Sequence, residues 1–403
     1  MRRLASNFSF LTIGHVVNIL VILMTYPHLV NTLGLETYGF VIIGQAFADI
    51  IMITTNFGFE ISGTKSISSI RDSIQDRNKL ITDIYIIKVF SFLIVVVPVF
   101  ILANWSVPYQ HQGFVIAFIL SGFVSGLIPF YFFQGMERMS VIFFIKLVSG
   151  LTYLFLVLWI IRSDADFVKV SYIKLSVELL GLILSIVILK YIFNYRVVRS
   201  SRQGLTTNFN QSSVFFISKI GNIASSKAPL FFVNFAFGAV ATTLLDFIIK
   251  IYSICQIPID VLAGVVFPAS AKSYNKVFIK KMIYINLCAA LVIYIMANLS
   301  LPYMLELFFK DINYAEIRTI FFIYGGVLLF NAVSGLMGTS VLVSNGYSTH
   351  YNLSVFLAFS MLCSGLFLSY VQQNVYMTYY TLVIASSSLA VYRVFIGFRK
   401  KLL

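Results

Sequence analysis

The sequence predicts an all-α integral membrane protein with about twelve transmembrane helices in two six-helix lobes around a central cavity. Three observations predict it. Of the 403 residues, 59% are hydrophobic and only 11% are charged, whereas a soluble domain carries about 25% charged residues. The mean hydropathy is +0.91, too high for a soluble chain to bury. Twelve apolar runs, each near the roughly 20 residues that a spanning helix needs, are separated by short polar gaps with no room for a soluble domain. The runs are continuous, unlike barrel strands of about 10 residues with alternating polarity.

The first run, 9–31, follows Arg2 and Arg3. It is longer than a signal-peptide core and no small-residue cleavage site follows it, so it is read as a retained helix. The second, 38–61, carries Gln45, Asp49, Asn56 and Glu60 at steps of 4, 7 and 4, which make one polar stripe on a helix. The third, 80–103, holds Asp83 and Lys88. The fourth, 113–134, has Gly122 and Gly126, a small-xxx-small face suited to close helix packing, and Pro129. The fifth, 140–161, holds Lys146, and the sixth, 170–193, holds Lys174 and Glu178 four residues apart.

The seventh run, 212–236, is interrupted by Lys219, Lys227 and Pro229 and shows Ser212, Lys219, Asn222 and Ser226 on one face. The eighth, 242–268, repeats the stripe with Asp246, Lys250, Ser253 and Asp260, and also contains Pro258. Pro129, Pro229 and Pro258 are expected to kink their helices. The runs 281–303, 317–341 and 350–371 lack interior charge, although Gly325-Gly326 loosens the second of them. The last run is 375–397.

Lys and Arg set the orientation. With an even number of spans both termini share a side. That side carries 19 Lys and Arg and the other 4, with 6 inside spans, which predicts cytoplasmic termini. The net charge of +14 is mostly this signal and gives no basic, aromatic-interleaved module for nucleic acid. Cys255, Cys288 and Cys363 are isolated in apolar runs, and His15, His28, His111 and His350 are scattered. Neither set has metal-ligand spacing, and no phosphate-binding GxxxxGK[ST] occurs. Neither metal nor cofactor is expected.

Two Gly-containing turns hint at duplication. Gly34 and Gly238 are 204 residues apart, and Gly135 and Gly346 are 211 apart. The boundary is set at 1–200 for helices 1–6 and 201–403 for helices 7–12, joined by the basic segment 195–208. Substrate paths in transporters often run between such repeats.

A charge inside a span costs about 2.5–3.5 kcal/mol on insertion scales. Some have a structural explanation: Asp246 with Lys250, and Lys174 with Glu178, are spaced as i,i+4 partners, and Lys88 and Lys146 can reach an interface. Stripes on three helices together still predict a shared hydrated cavity.

The opening NFS at 7–9, Pro27, LGLETYG at 33–39, QAFADI at 45–50 and NFGFEISGTKSIS at 56–68 resemble the start of O-antigen and capsular polysaccharide flippases. FFQGMERM at 132–139, VFPASAK at 266–272 and SNGYS at 344–348 resemble later parts of the same family. The resemblance covers nearly the whole chain, most strongly 1–140. It implies the multidrug/oligosaccharidyl-lipid/polysaccharide exporter fold, no enzymatic activity, and alternating access in a bacterial inner membrane. The implied cargo is an oligosaccharide joined by pyrophosphate to undecaprenol. Membrane lipid, polysaccharide assembly proteins and a coupling ion (H+ or Na+) are the implied partners.

Related peptidoglycan-precursor flippases line the cavity with arginines on the first helix. Here that helix has His15 and Asn18 and no arginine, which argues against that cargo. The substrate-binding candidates are therefore Lys219, Lys227, Lys250, Asn222, Lys88 and Lys174. The ion-coupling candidates are Asp49, Asp83, Asp246, Asp260 and Glu178. Two alternatives stay open: an ion-coupled drug/cation antiporter of the same fold, and a membrane polysaccharide polymerase, which would usually show a large external loop.

Overall fold

A computed structural model describes the backbone of residues 2–106, 112–272, 274–308 and 314–402. Within these, side chains are described except at 2–13, 15–16, 18, 104–106, 217–218, 220–225, 265, 268–269, 271–272, 307–308 and 314. His15, Asn18 and Asn222 therefore lie outside the described side chains, as does all of His111.

The described residues contain helices and no strand. In order these are α1 (Arg2–Leu33), α2 (Leu35–Asn56), α3 (Phe59–Ser69), α4 (Ile74–Ser106), α5 (Gln112–Leu127), α6 (Phe130–Gly135) and α7 (Met139–Ile160). Then follow a 3-10 turn (Asp164–Asp166), α8 (Phe167–Tyr191), α9 (Arg202–Lys272), α10 (Lys276–Phe308), α11 (Tyr314–Gly325) and α12 (Val327–Leu336). A π-helical segment (Met337–Val343), α13 (Ser348–Val371) and α14 (Val375–Arg399) complete the chain.

Ten helical stretches among the described residues are long and apolar enough to cross a bilayer, and a shorter apolar stretch runs Ile19–Leu33. One of the ten, Ser226–Gly264, is broken at Gly238, which separates the seventh and eighth expected spans. The twelve-span reading is accounted for in this way.

The breaks fall where the backbone demands them. Gly34 (φ 78°, ψ 163°) and Gly238 (φ 86°, ψ −179°) take closely similar left-handed geometry, open to glycine at no steric cost. Pro129 breaks the fourth span between α5 and α6. In contrast, α9 keeps helical φ and ψ through Pro229 and Pro258; proline fixes φ near the helical value and sacrifices one hydrogen bond. Span ten is divided at Gly325-Gly326 and ends in the π segment.

The second pair of turns matches more closely in structure than in glycine position. Glu137 (φ 57°) donates to the Gln134 carbonyl and Arg138 to that of Phe133; Gly346 (φ 83°) donates to Val343 and Tyr347 to Leu342. The same hydrogen-bond pattern recurs at a shift of 209 residues, from Glu137 to Gly346.

The chain divides into two compact units, Met1–Ala228 and Pro229–Leu403. In the first, α2 packs against α5, α4 and α1, while α8 joins α5 and α7. Lipid gives helices no hydrophobic reason to associate, so small residues that allow close backbone approach matter. A Cβ on Gly122 would stand 2.2 Å from the Ala48 carbonyl oxygen, and one on Gly126 would stand 2.7 Å from Thr55 Cβ. In the second unit, α13 packs on α14, and α12 bridges α14 and α10. Outward-facing Leu93, Ile94, Val97, Phe155, Trp159 and Met296 are exposed, as side chains that meet acyl chains should be.

Candidate functional site

The site in the first unit is built on a break. The second span does not run as one helix: α2 ends at Asn56, Phe57 (φ 46°) and Gly58 (φ 78°) are both left-handed, and α3 starts at Phe59. Phe57 is stabilised there by stacking on Phe209 and Phe216, with centroids 4.7 and 4.6 Å away. A Cβ on Gly58 would approach the Ser212 carbonyl oxygen to 2.7 Å. Ser62 and Ser212 share a hydroxyl hydrogen bond of 2.6 Å. The first turns of α9 thus seat directly on the gap between α2 and α3.

Seating α9 there brings its lysines to the polar stripe. Lys219 pairs with Glu60, which also accepts from Asn56 Nδ2 at 2.8 Å. Lys227 pairs with Asp49 at 2.6 Å. Each lysine side chain is about a quarter exposed, and its carboxylate partner is over two-fifths exposed. Ion pairs this open contribute only about 0–1 kcal/mol each, so an incoming anion need overcome little to replace the carboxylate. Glu60, the last member of the polar stripe, meets Lys219 because α9 crosses it.

Other candidates lie elsewhere. Lys88 is wholly enclosed in the first unit, donating to the Gly126 carbonyl at 2.6 Å, with its ammonium 5.0 Å from the Tyr131 ring centroid. Asp83 is buried and holds the connector and the start of α9, accepting from the Ser200 hydroxyl and from Asn208 Nδ2 at 3.1 Å. Lys174 and Glu178 pair along one helix at 2.7 Å, and Lys174 also lies 5.9 Å from the Tyr153 ring. Lys146 lies 5.5 Å from the Phe130 ring.

In the second unit Lys250 pairs with Asp246 one turn away on α9. Asp260 ends a polar chain: it accepts from Gln256 Nε2 at 2.8 Å, Gln256 Oε1 accepts from the Tyr252 hydroxyl at 2.8 Å, and Asn331 Nδ2 donates to Tyr252. Sequence reasoning missed Arg393, counted among the C-terminal basic residues. It is buried in α14, donates to the Ser354 hydroxyl at 2.9 Å and the Ser334 carbonyl at 2.8 Å, and stacks 4.4 Å over Tyr351. A Cβ on Gly338 would meet its guanidinium at 2.5 Å, so the glycine of the π segment makes its room. The available signal was that the last apolar run extends past Arg393 to Phe398.

Among the described residues no group of three or more His, Cys, Asp or Glu is placed to hold a metal.

Solved structures share this fold. A mutant of the Vibrio cholerae MATE transporter VcmN aligns with TM-score 0.62 and 13% identity over 100% of this chain and 98% of that one. A MOP superfamily transporter from Pyrococcus furiosus aligns with TM-score 0.58 and 13% identity over 98% of this chain and 93% of that one. The chain therefore shares its fold with solved membrane transporters. It belongs to the polysaccharide biosynthesis protein family, which it matches over residues 4–274. The putative O-antigen transporter of Escherichia coli K12 is 28% identical over 46% of this chain and 45% of its own length. That of Shigella dysenteriae is 21% identical over 53% of each chain. The chain thus spans about half the length of the curated relatives it matches. The resemblance to polysaccharide flippases is borne out.

Proposed function

We propose that this protein is a flippase that carries an undecaprenyl-pyrophosphate-linked oligosaccharide across the bacterial inner membrane by alternating access. The proposed lobes are 1–200 and 201–403. The observation that supports it most is the pairing of Lys219 with Glu60 and of Lys227 with Asp49, with both members of each pair partly exposed. A pyrophosphate and its sugars cannot enter hydrocarbon unaided, because buried charge and unpaired hydroxyls are costly. Lysines whose present partners are weakly held offer a diphosphate a replacement site in a wet groove. The displaced Asp49 and Glu60, with Asp246 beside Lys250, are then free to take up coupling protons or ions.

The test is transport of radiolabelled lipid-linked oligosaccharide into the far leaflet of proteoliposomes, run beside a drug-resistance assay. Lipid-linked sugar should move and drug resistance should not change. Drug export without sugar transport would instead make the acidic residues the main site of an antiporter. Neither activity, with sugar chains growing in the vesicles, would point to a polymerase.

The excess of Lys and Arg on the side that carries both termini supports a cytoplasmic location for them. Reporter fusions at residues 200 and 403 should read as cytoplasmic; an external signal at either site would overturn this orientation.

A further inference from the structure

We infer that the end of the second unit formed by the start of α10 and the end of α14 is a docking surface for anionic phospholipid headgroups. Tyr274 donates to the Leu402 carbonyl at 2.8 Å, and Lys276 donates to the Lys401 carbonyl. Beneath them Ile279, Val266, Leu336, Met337 and Val341 form a buried cluster on which Val394 and Leu402 pack. The contacts bring Lys276, Lys280, Lys281, Arg399, Lys400 and Lys401 to one end of the unit, all exposed.

The patch has no acidic counterpart. No Asp or Glu occurs in 261–305 or in 317–403. The loop around Arg71 in the first unit differs: Arg71 pairs with Glu137 at 2.8 Å, and Asp72 and Asp76 sit among Arg71, Arg77 and Lys79, whereas the connector bearing Arg196, Arg199 and Arg202 has no Asp or Glu within 179–245. An excess of basic residues alone would set orientation in either unit. Among the described residues no carboxylate pairs with this cluster, which calls for an external anion.

The neighbourhood names the anion's carrier. Val277, Tyr284, Phe395 and Phe398 are exposed on the same helix ends, which pairs apolar contact for acyl chains with cations for the phosphates. Lysine and arginine near a charged bilayer surface each gain about 1 kcal/mol from anionic lipid, or roughly fivefold in binding. The inference is independent of the cargo and of the side on which the termini lie.

The experiment uses the full chain in nanodiscs and measures retention of cardiolipin against phosphatidylcholine by native mass spectrometry. A variant carrying Lys280→Gln, Lys281→Gln, Lys400→Gln and Lys401→Gln leaves the Lys276 contact in place. Wild type should retain cardiolipin at least about tenfold better than the variant, with equal melting temperatures in phosphatidylcholine. If the four-site variant melts early there, the pair Lys280→Gln and Lys281→Gln is measured instead and should show a smaller loss. Equal retention by wild type and variant, or no preference of wild type for cardiolipin, overturns the inference. Competition by inorganic phosphate at matched concentration would also overturn it, since the surface would then serve a soluble anion.

Discussion

Cells whose only copy carries Lys219→Ala are expected to lose surface polysaccharide while keeping normal amounts of membrane-inserted protein. Lys250→Ala should do the same. The two lysines reach carboxylates in different ways, one across helices to Glu60 and one along its own helix to Asp246. If either served only to neutralise its carboxylate, its loss would be felt as stability: at most about 1 kcal/mol for the open Lys219–Glu60 pair, and more for Lys250, whose partner Asp246 is buried. A lysine that holds a phosphate should cost about 2–5 kcal/mol of binding when truncated, a loss of at least roughly thirtyfold. Arginine at either site keeps the charge and should retain part of the export. The exchange of Glu60→Lys with Lys219→Glu separates the roles further: it restores the ion pair and should leave export lost. Normal polysaccharide from both alanine variants would make these lysines structural.

Gly122→Val should be the most destabilising single change considered. The atom in its way is the Ala48 carbonyl oxygen, 2.2 Å from an added Cβ, and a main-chain atom cannot rotate aside. The helices α2 and α5 would have to part along a seam that also holds Gly44 against Phe118 and Gly126 against Thr55. Overpacking in a close-packed interior costs about 1–3 kcal/mol where side chains can adjust, so a backbone clash belongs at or above the top of that range. Thermal melting in detergent and folded abundance in membranes measure it. Gly335→Ala is the control, since nothing lies within 4 Å of a Cβ there. A Gly122→Val protein that melts like wild type would refute the close packing of α2 on α5.

Much of this architecture was legible because a membrane simplifies the code. Length and polarity mark each span, and local turn chemistry marks most breaks. What the sequence hid were contacts between distant segments. Asp83 reads as a lone charge in a span, yet its partners are Ser200 and Asn208, 117 and 125 residues onward. Lys88 reads as a cavity cation, yet it is closed over by Gly126 and Tyr131. The stripe on the second span reads as one face of a single helix, yet that helix breaks at Phe57 and Gly58. The tripeptide Asn56-Phe57-Gly58 carries a turn signal that the surrounding apolar run outweighs, and the stacking partners that hold Phe57 lie on α9. The i,i+4 pairs were readable because spacing along a single helix suffices to form them.

That difference between pairs bears on how the chain is made. Lys174 with Glu178 and Lys250 with Asp246 can neutralise each other within one nascent helix, before it leaves the translocon. Lys219 and Lys227 cannot: Glu60 was synthesised 159 residues earlier, and Asp49 lies earlier still. At about 2.5–3.5 kcal/mol for each uncompensated lysine, the first half of α9 is a poor candidate for spontaneous partitioning. It would enter the bilayer readily only against helices that already present their carboxylates. Biogenesis would then run in a set order, with the N-terminal helices acting as the template on which the second half of the ribosome's product is threaded.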